Sequence, residues 1–472
     1  MDSTKRKSFT ANVDLIHGPI FKSLIIFALP LFISNIFQQL YNTVDTMIVG
    51  NFLGDASLAA IGSCTSIYDL LVGFALGIGN GLAIVTARSF GSKDEKLLKK
   101  SVASSLVIGI VVSIGLTLIG LIFLQPLLHL LNTPTNIIDE AYSYIFFIVL
   151  FIIVMFAYNL CAGLMRAIGN SVMPLVFLVV SSVLNIILDL VFITQLNMGV
   201  QGAAVATVIS QGTSVILCIV YMFKKTPLLL PKKEHFEVDK DLYKELLGQG
   251  FSMGFMSCIV SAGSVILQYG INNLGYLIIA GHTAARKLYM FFNMPFTAMA
   301  LAISTFVSQN KGANQKDRIK KALRYAYIYD IVGAAIVTCI ILLFGSSLVK
   351  LISGSSKEVV LHNGTLYLTI VGPFYAVLGI LMQTRYALQG IGQKLLPLIS
   401  SVIEFFGKII FVIFLIPRFQ YMAVIFCEPV IWCVMTIQLV YSFYHNPYIR
   451  IMIKKLDGAK ASSFYYIKFL HH

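Results

Sequence analysis

Twelve long apolar stretches, joined by short polar connections, leave this chain few ways to fold. They run near 24–50, 57–85, 101–125, 138–160, 172–193, 200–222, 245–270, 277–307, 322–345, 365–385, 396–417 and 422–444. A bilayer core about 30 Å thick needs around 20 apolar residues per spanning helix, and each stretch reaches that length. Their regular spacing, without the two-residue alternation of barrel strands, predicts helices. The stretches near 57–85 and 277–307 are over-long and interrupted by glycine or charge, so tilted or broken spans are expected there. Composition excludes the soluble alternative. Charged residues are 12% of the chain, against about 25% in a soluble domain, and mean hydropathy is +0.84. The fold class is an all-α membrane protein.

The net charge of +14 invites a nucleic-acid reading, which its distribution rejects. All but six of the 35 lysines and arginines fall in the even-numbered loops and the two tails. They include Lys5-Arg6-Lys7, Arg88 to Lys100, Arg166, Lys224 to Lys244, Lys311 to Arg324, Arg385 with Lys394, and Arg450 to Lys468. Lys350, Lys357 and Arg418 sit in the opposite loops, and Arg286, Lys287 and Lys408 inside spans. This asymmetry is the positive-inside pattern with both termini cytoplasmic. The basic balance reports topology in a plasma membrane and implies no nucleic-acid partner. The seven cysteines all lie within spans, without a CxxC pair, and read as small apolar residues. The first apolar stretch starts late and lacks a small-residue cleavage site, so it reads as a span and not as a removed signal.

The longest polar break, Lys224 to Glu245, divides the chain into six spans on each side. Gly163 to Ile193 can be laid on Tyr386 to Ile416 without a gap. Leu53-Gly54 also meets Leu274-Gly275, and Gly91 with Lys99-Lys100 meets Gly312 with Lys320-Lys321. An even number of spans per half makes this a parallel repeat about an axis along the membrane normal. The expected organisation is a cytoplasmic tail over 1–23, an N-lobe over 24–223, a cytoplasmic linker over 224–244, a C-lobe over 245–445 and a basic tail over 446–472. The tail is expected to lie along the inner membrane surface. Two such lobes rocking about a central cavity give alternating access.

Ionisable groups at membrane depth mark function by default, since each costs about 2.5–3.5 kcal/mol or more at a helix centre. In the first span Asn35, Gln38, Asn42 and Asp45 follow spacings of three, four and three, so all point from one face. Pro30 precedes them in the same span and is expected to kink it. Ser66, Asp69, Gly73 and Gly77 form a stripe in the second span, Asn185 and Asp189 in the fifth, and Thr207, Gln211 and Ser214 in the sixth. No Lys or Arg is expected within the N-lobe spans, so Asp45, Asp69 and Asp189 need protonation, a bound cation or cavity water. Their carboxylate, amide and hydroxyl oxygens suit a hard cation such as sodium. Interhelical hydrogen bonding is the plainer alternative. In the C-lobe, Arg286 and Lys287 lie in the eighth span, Glu404 and Lys408 at i,i+4 in the eleventh, and Glu428 in the twelfth. Acid and base can compensate there, which points to a structural or gating cluster. His282 reads as a packed polar residue.

At these residues the chain resembles the multidrug and toxic-compound extrusion (MATE) family. The likeness spans about Gly18 to His445 and is carried by Ala28 to Gly50, Arg166 to Asn170 (RAIGN), Asn185 to Asp189 (NIILD) and Gly199 to Thr207. NIILD is similar to the bacterial DNA-damage-inducible-type branch. The resemblance implies a V-shaped pair of six-helix bundles exporting organic compounds against an inward proton or sodium gradient. It implies that Asp45, Asn185, Asp189 and Thr207 form the ion-coupling site, a metal site only if sodium is the coupling ion, and that Pro30 is where the first helix bends. Gln38, Asn42, Asp69, Gln211, Arg286, Glu404 and Lys408 are the remaining cavity or gating candidates. Members that bind sodium in the C-lobe carry acids in the seventh and tenth helices, in whose interiors this chain has none.

No GxxxxGK[ST] phosphate loop occurs, and the loops are too short for an ATPase domain, so transport must draw on an ion gradient. No enzymatic activity and no cofactor are expected. Tyr68-Asp69 and Tyr329-Asp330 look like half of an intramembrane aspartyl protease signature, but the Gly-x-Gly-Asp partner is missing and Asp330 is expected near the cytoplasmic end of its span. The closer rival is a flippase for a lipid-linked oligosaccharide, whose pyrophosphate needs cations such as Arg286, Lys287 and Lys408. The expected protein is a monomeric antiporter of small organic, often cationic or amphipathic, compounds in exchange for H+ or Na+. Its topology is directly testable: reporters fused in the linker and at either terminus should be protected inside intact cells, and a linker reporter accessible from outside would contradict the charge argument.

Overall fold

The computed structural model describes residues 12–131 and 133–450. Lys5-Arg6-Lys7 and the basic tail beyond Arg450 lie outside the described residues. The N-terminal half contains α1 (Ile20–Leu53), α2 (Asp55–Gly91), α3 (Glu95–Leu130), α4 (Ile138–Leu150 with Ile152–Ala167), α5 (Val172–Leu190) and α6 (Val200–Lys225). The C-terminal half contains α7 (Lys240–Asn272), α8 (Tyr276–Gly312), α9 (Lys316–Ser353), α10 (Glu358–Val371 with Tyr375–Gly390), α11 (Leu395–Ile410) and α12 (Ile416–Tyr444). Ten helical stretches are long and apolar enough to cross a bilayer, and the bent pair of α4 makes an eleventh. The stretch Leu395–Tyr444 counts once among them at 50 residues, but Gln420 breaks it with φ 51° and ψ −134°. It is two crossings, which brings the total to twelve.

The duplication is written in the backbone. Left-handed positions recur in pairs: Gly54 and Gly275 (φ 87° and 95°), Lys93 and Asn314 (61° and 55°), Gly169 and Gly392 (91° and 97°), Asn197 and Gln420 (49° and 51°). The pairs keep one spacing in sequence to within two residues. Gly54 alone joins α1 to α2, a reversal that needs the positive φ glycine adopts without steric cost. Asp94 and Asp239 cap α3 and α7 by accepting from the backbone N–H of Leu97 and Leu242. Just past α5 and α11 the chain makes a π turn, at Val191–Gln195 and Phe411–Leu415.

The long helices α2 and α8 are not broken. Each runs 37 residues without interruption, about 55 Å at 1.5 Å per residue, so each projects well beyond a hydrocarbon core of about 30 Å. The breaks fall elsewhere: α4 bends 48° at Phe151, and α10 passes through a 3-10 turn at Gly372–Phe374.

The lobes exchange the beginnings of their first helices. Leu24, Phe27, Ala28 and Leu31 of α1 belong to the C-lobe core, whereas Ile48 and Val49 pack on Ile193 and Ala203 of the N-lobe. Conversely, Leu242 and Leu246 of α7 belong to the N-lobe core, and Leu267 and Ile271 to the C-lobe core. The helix α1 therefore serves both lobes: residues as far as Phe32 and Asn35 meet the C-lobe, and N-lobe packing begins at Val44. This exchange closes the molecule on its linker side, the end that carries residues 226–239 and the segment before α1. There α2 and α7 cross at backbone contact, since a Cβ on Gly81 would fall 2.6 Å from Gln249 O and from Gly250 Cα. Glu245 at the start of α7 receives Arg88 at 2.7 Å and Lys394 at 2.8 Å. The segment before α1 straps the lobes together: Val13 N–H donates to Gly169 O at 2.9 Å, and Asn310 and Arg318 donate to Leu15 O.

A branched side chain at Gly81 must push α7 off α2. Gly81→Val should raise the thiol-labelling rate of a cysteine placed at buried Met253 several-fold in an otherwise cysteine-free protein. An unchanged rate would contradict the close-packed crossing.

Candidate functional site

Asp45 lies on the part of α1 that packs against the N-lobe, about six turns beyond Leu24 and the C-lobe contacts around it. Asn185 and Asp189 lie one turn apart on α5 and are 2% and 0% exposed. The carboxyl groups of Asp45 and Asp189 are within hydrogen-bonding reach of each other. Neither meets a donor: Asp45 Oδ1 and both oxygens of Asp189 are buried without a hydrogen-bond partner. Among the described residues no Lys, Arg or His nitrogen lies within 4.0 Å of either. Asp189 is fully buried and Asp45 half-buried, and an acid pair so placed is stable only with a proton or cation between its oxygens, because an isolated buried charge is far costlier than a hydrogen bond.

Asn185 and Thr207 meet beside this pair. With Tyr41, Ser181, Ser182, Ser210 and Gln211 they line a void of about 10 Å³, close to what one water-sized guest occupies. Both polar atoms of the Asn185 amide, Ser210 Oγ and Gln211 Oε1 are buried without partners, while the Thr207 hydroxyl donates to Ala203 O at 3.0 Å. Tyr41, one turn before Asp45, connects the void to the acid pair. All donors here are oxygens of carboxyl, amide or hydroxyl type, a set that fits a proton or a hard monovalent cation and not a thiophilic metal. Among the described residues no group of three or more His, Cys, Asp or Glu side chains converges.

A larger cavity of about 150 Å³ opens next to the void. Asn35, Gln38, Tyr41, Tyr68, Tyr158 and Gln211 line it, with Asn80 and Arg166 at another part of its wall. Gln38 and Gln211 thus face it as expected, whereas Asn42 and Asp69 are exposed and stand outside its lining. Pro30 is buried in α1, and Ser34 Oγ donates to its carbonyl at 2.8 Å. Arg166 corrects the sequence reading. It is not in a loop but in the last turn of α4, where its Nη2 donates to Asn80 Oδ1 at 3.4 Å. Arg166 is thus a cation within an N-lobe helix, and among the described residues it makes no ion pair with Asp45 or Asp189. Tyr41 and Tyr68 were overlooked, yet Tyr41 continues the stripe of Gln38 and Asp45 at helical spacing. Asn80 and Arg166 sit next to loops in the sequence and gave no such signal.

The C-lobe cluster is internally compensated. Arg286 meets Glu428 at 2.6 Å, Lys408 meets Glu404 at 2.9 Å and Glu428 at 4.0 Å, and Arg385 approaches Glu404 at 3.9 Å. Arg385, expected in a loop, lies within α10. Tyr367 OH accepts from Arg286 at 3.1 Å, and the Arg286 guanidinium lies 4.4 Å over the Tyr289 ring. His282 is buried against Tyr421 OH at 3.3 Å. Lys287 is exposed and takes no part in these pairs. Asp330 is not near a helix end exposed to water but fully buried within the lobe.

The twofold architecture agrees with known proteins. The MatE family model matches residues 30–191 and again 253–414, the two halves in turn. A probable multidrug resistance protein of Bacillus subtilis, YoeA, is 27% identical over 450 residues, covering 93% of this chain and 96% of the relative. The multidrug export protein MepA of Staphylococcus aureus is 24% identical over 402 residues, covering 82% and 86%. A MATE protein solved in its bent conformation superposes with a TM-score of 0.86 at 22% identity, over 97% of this chain and 100% of that one. A multidrug resistance MATE transporter solved facing outward gives 0.84 at 23% identity, over 96% and 100%. These superpositions establish the fold. Matched by the family model over both halves and well over half its length, the chain belongs to the MATE family of multi-spanning membrane transporters, and it is not an enzyme.

Proposed function

We propose that the protein is a secondary antiporter that exports organic compounds from the cell in exchange for H+ or Na+, with Asp45, Asn185, Asp189 and Thr207 as its ion-coupling group. One observation carries the reading: the Asp45 and Asp189 carboxyls adjoin in a buried site without a counter-ion. The names of the relatives, multidrug resistance and multidrug export proteins, support the substrate class.

The exchange of α1 between lobes supplies the coupling. Its later part carries Asp45 against α5, and its earlier part is packed in the C-lobe. A proton or sodium ion bound between Asp45 and Asp189 removes their repulsion and draws the later part of α1 toward α5. Pro30 leaves the carbonyl of Ile26 without its helical N–H partner, so the helix bends most easily within the part packed on the C-lobe, ahead of the residues that reach the N-lobe. The bend repacks Asn35, Gln38 and Tyr41, which line the 150 Å³ cavity, and expels the bound compound. Release of the ion on the linker side, taken as cytoplasmic from its positive charge, resets the lobes. By linkage the ion and the exported compound weaken each other's binding in the same conformation. A lipid-linked oligosaccharide flippase would instead need free cations for a pyrophosphate: Arg286 and Lys408 are paired with Glu428 and Glu404, while Lys287 and Arg166 are not in these pairs.

Ethidium efflux by the purified protein in liposomes, with proton and sodium gradients imposed separately, tests the assignment. Asp45→Asn and Asp189→Asn should each lower gradient-driven efflux at least about ten-fold, the factor that a coupling loss of about 1.4 kcal/mol gives. Pumping at the wild-type rate by both variants would remove these residues from the mechanism.

A further inference from the structure

We propose that Asp330 and Gln383 form a second proton-binding site, in the C-lobe and separate from the Asp45–Asp189 pair. Asp330 on α9 is 0% exposed. The Gln383 side-chain amide donates to its Oδ1 at 3.2 Å and to Phe296 O at 3.3 Å. Asp330 Oδ2 and Gln383 Oε1 are both buried without a partner, so the pair has acceptors in excess and lacks a donor. A proton on the carboxyl is that donor. No Lys, Arg or His nitrogen lies within 4.0 Å of Asp330 among the described residues, and Arg385 on α10 is turned to Glu404. The neighbouring titratable groups are phenols on the same helix: Tyr327, whose hydroxyl is 2.6 Å from Thr384 Oγ1, and Tyr329. The helices packed here, α8 and α10, present Phe296, Gly379 and Gln383.

The internal repeat shows that the fold does not require an acid at this place. The N-lobe positions matching Asp330, Gly379 and Gln383 are Gly109, Phe156 and Leu160. There a Cβ on Gly109 would strike the Phe156 ring; here a Cβ on Gly379 would lie 2.6 Å from Asp330 Cγ. Small and large residues have traded places across the same helix pair, and one lobe fills the space with hydrocarbon alone. The C-lobe fills it with a carboxyl and an amide, at the cost of burying polar groups. The fit also selects the ligand. A hard metal cation takes about six oxygens, whereas Gly379 is packed against this carboxyl so closely that a Cβ there would lie 3.0 Å from Oδ2. A proton needs no such room. In the conformation described, the carboxyl is neutral; when α10 parts from α9 during the cycle, the O–H bond ionises and the proton passes to water.

Infrared difference spectra of the full chain in liposomes, taken between acid and alkaline buffer, test this directly. The Asp45→Asn/Asp189→Asn double variant serves as background, so that the outcome does not depend on the N-lobe pair. A protonated-carboxyl band should disappear on alkalinisation, and should be missing altogether after Asp330→Asn. Gln383→Leu, which copies Leu160, should move the pH at which the band disappears. If Asp330→Asn does not fold, Asp330→Gly with Gly379→Phe restores the N-lobe filling and should likewise lack the band. A band that stays constant across pH, or one that survives removal of Asp330, would overturn the proposal.

Discussion

A carboxylate in a helix bundle within hydrocarbon has few companions to choose from: a basic side chain, a bound cation or a proton of its own. Asp45 and Asp189 have no basic side chain within 4.0 Å, and they have each other. Their contact joins α1 to α5, so in the proposed mechanism the charge state of the pair decides how firmly the later part of α1 is held to the N-lobe. Because the earlier part of the same helix is packed in the opposite lobe, that local decision is felt across the interface. The closed linker side, with its glycine crossing of α2 and α7 and the Arg88–Glu245–Lys394 bridge, is one of the arrangements between which it selects.

The two halves share a fold and divide the electrostatics. The backbone repeats four pairs of left-handed residues, yet the N-lobe leaves Asp45 and Asp189 unmatched while the C-lobe pairs Arg286 with Glu428 and Lys408 with Glu404. Burying such pairs contributes little net stability, whereas removing one partner strands a charge and typically costs about 3–5 kcal/mol. In the proposed cycle the paired groups of the C-lobe cluster stay together, and the unpaired carboxyls of Asp45, Asp189 and Asp330 are the groups that respond to an ion.

Much of this was legible in the sequence because the bilayer imposes simple periods. Span length marked the twelve crossings, charge asymmetry marked the loops, and three-four spacing on α1 and α5 marked Asp45, Asn185 and Asp189. What escaped was set by tertiary contact. No local pattern reveals that α1 and α7 each begin in the other lobe, because Leu24 and Phe27 are as apolar as any lipid-facing residue. Arg166 and Arg385 were assigned to loops since hydropathy cannot fix a helix end to within a turn, and one turn separates a solvated guanidinium from one lining a cavity. Asn42 and Asp69 share the polar stripes of their helices but sit outside the cavity wall. Both α2 and α8 run unbroken: their glycines serve close helix crossings, at Gly77, Gly81 and Gly91 of α2 and at Gly281 and Gly312 of α8.

The central claim is that one ion site at Asp45 and Asp189 opposes substrate binding. The direct measurement is the affinity of purified protein for ethidium as proton or sodium concentration is raised. Affinity of the wild type should fall about ten-fold or more for the ion that drives transport, and that dependence should flatten in the Asp45→Asn/Asp189→Asn double variant. The same ion dependence in the double variant would contradict the account.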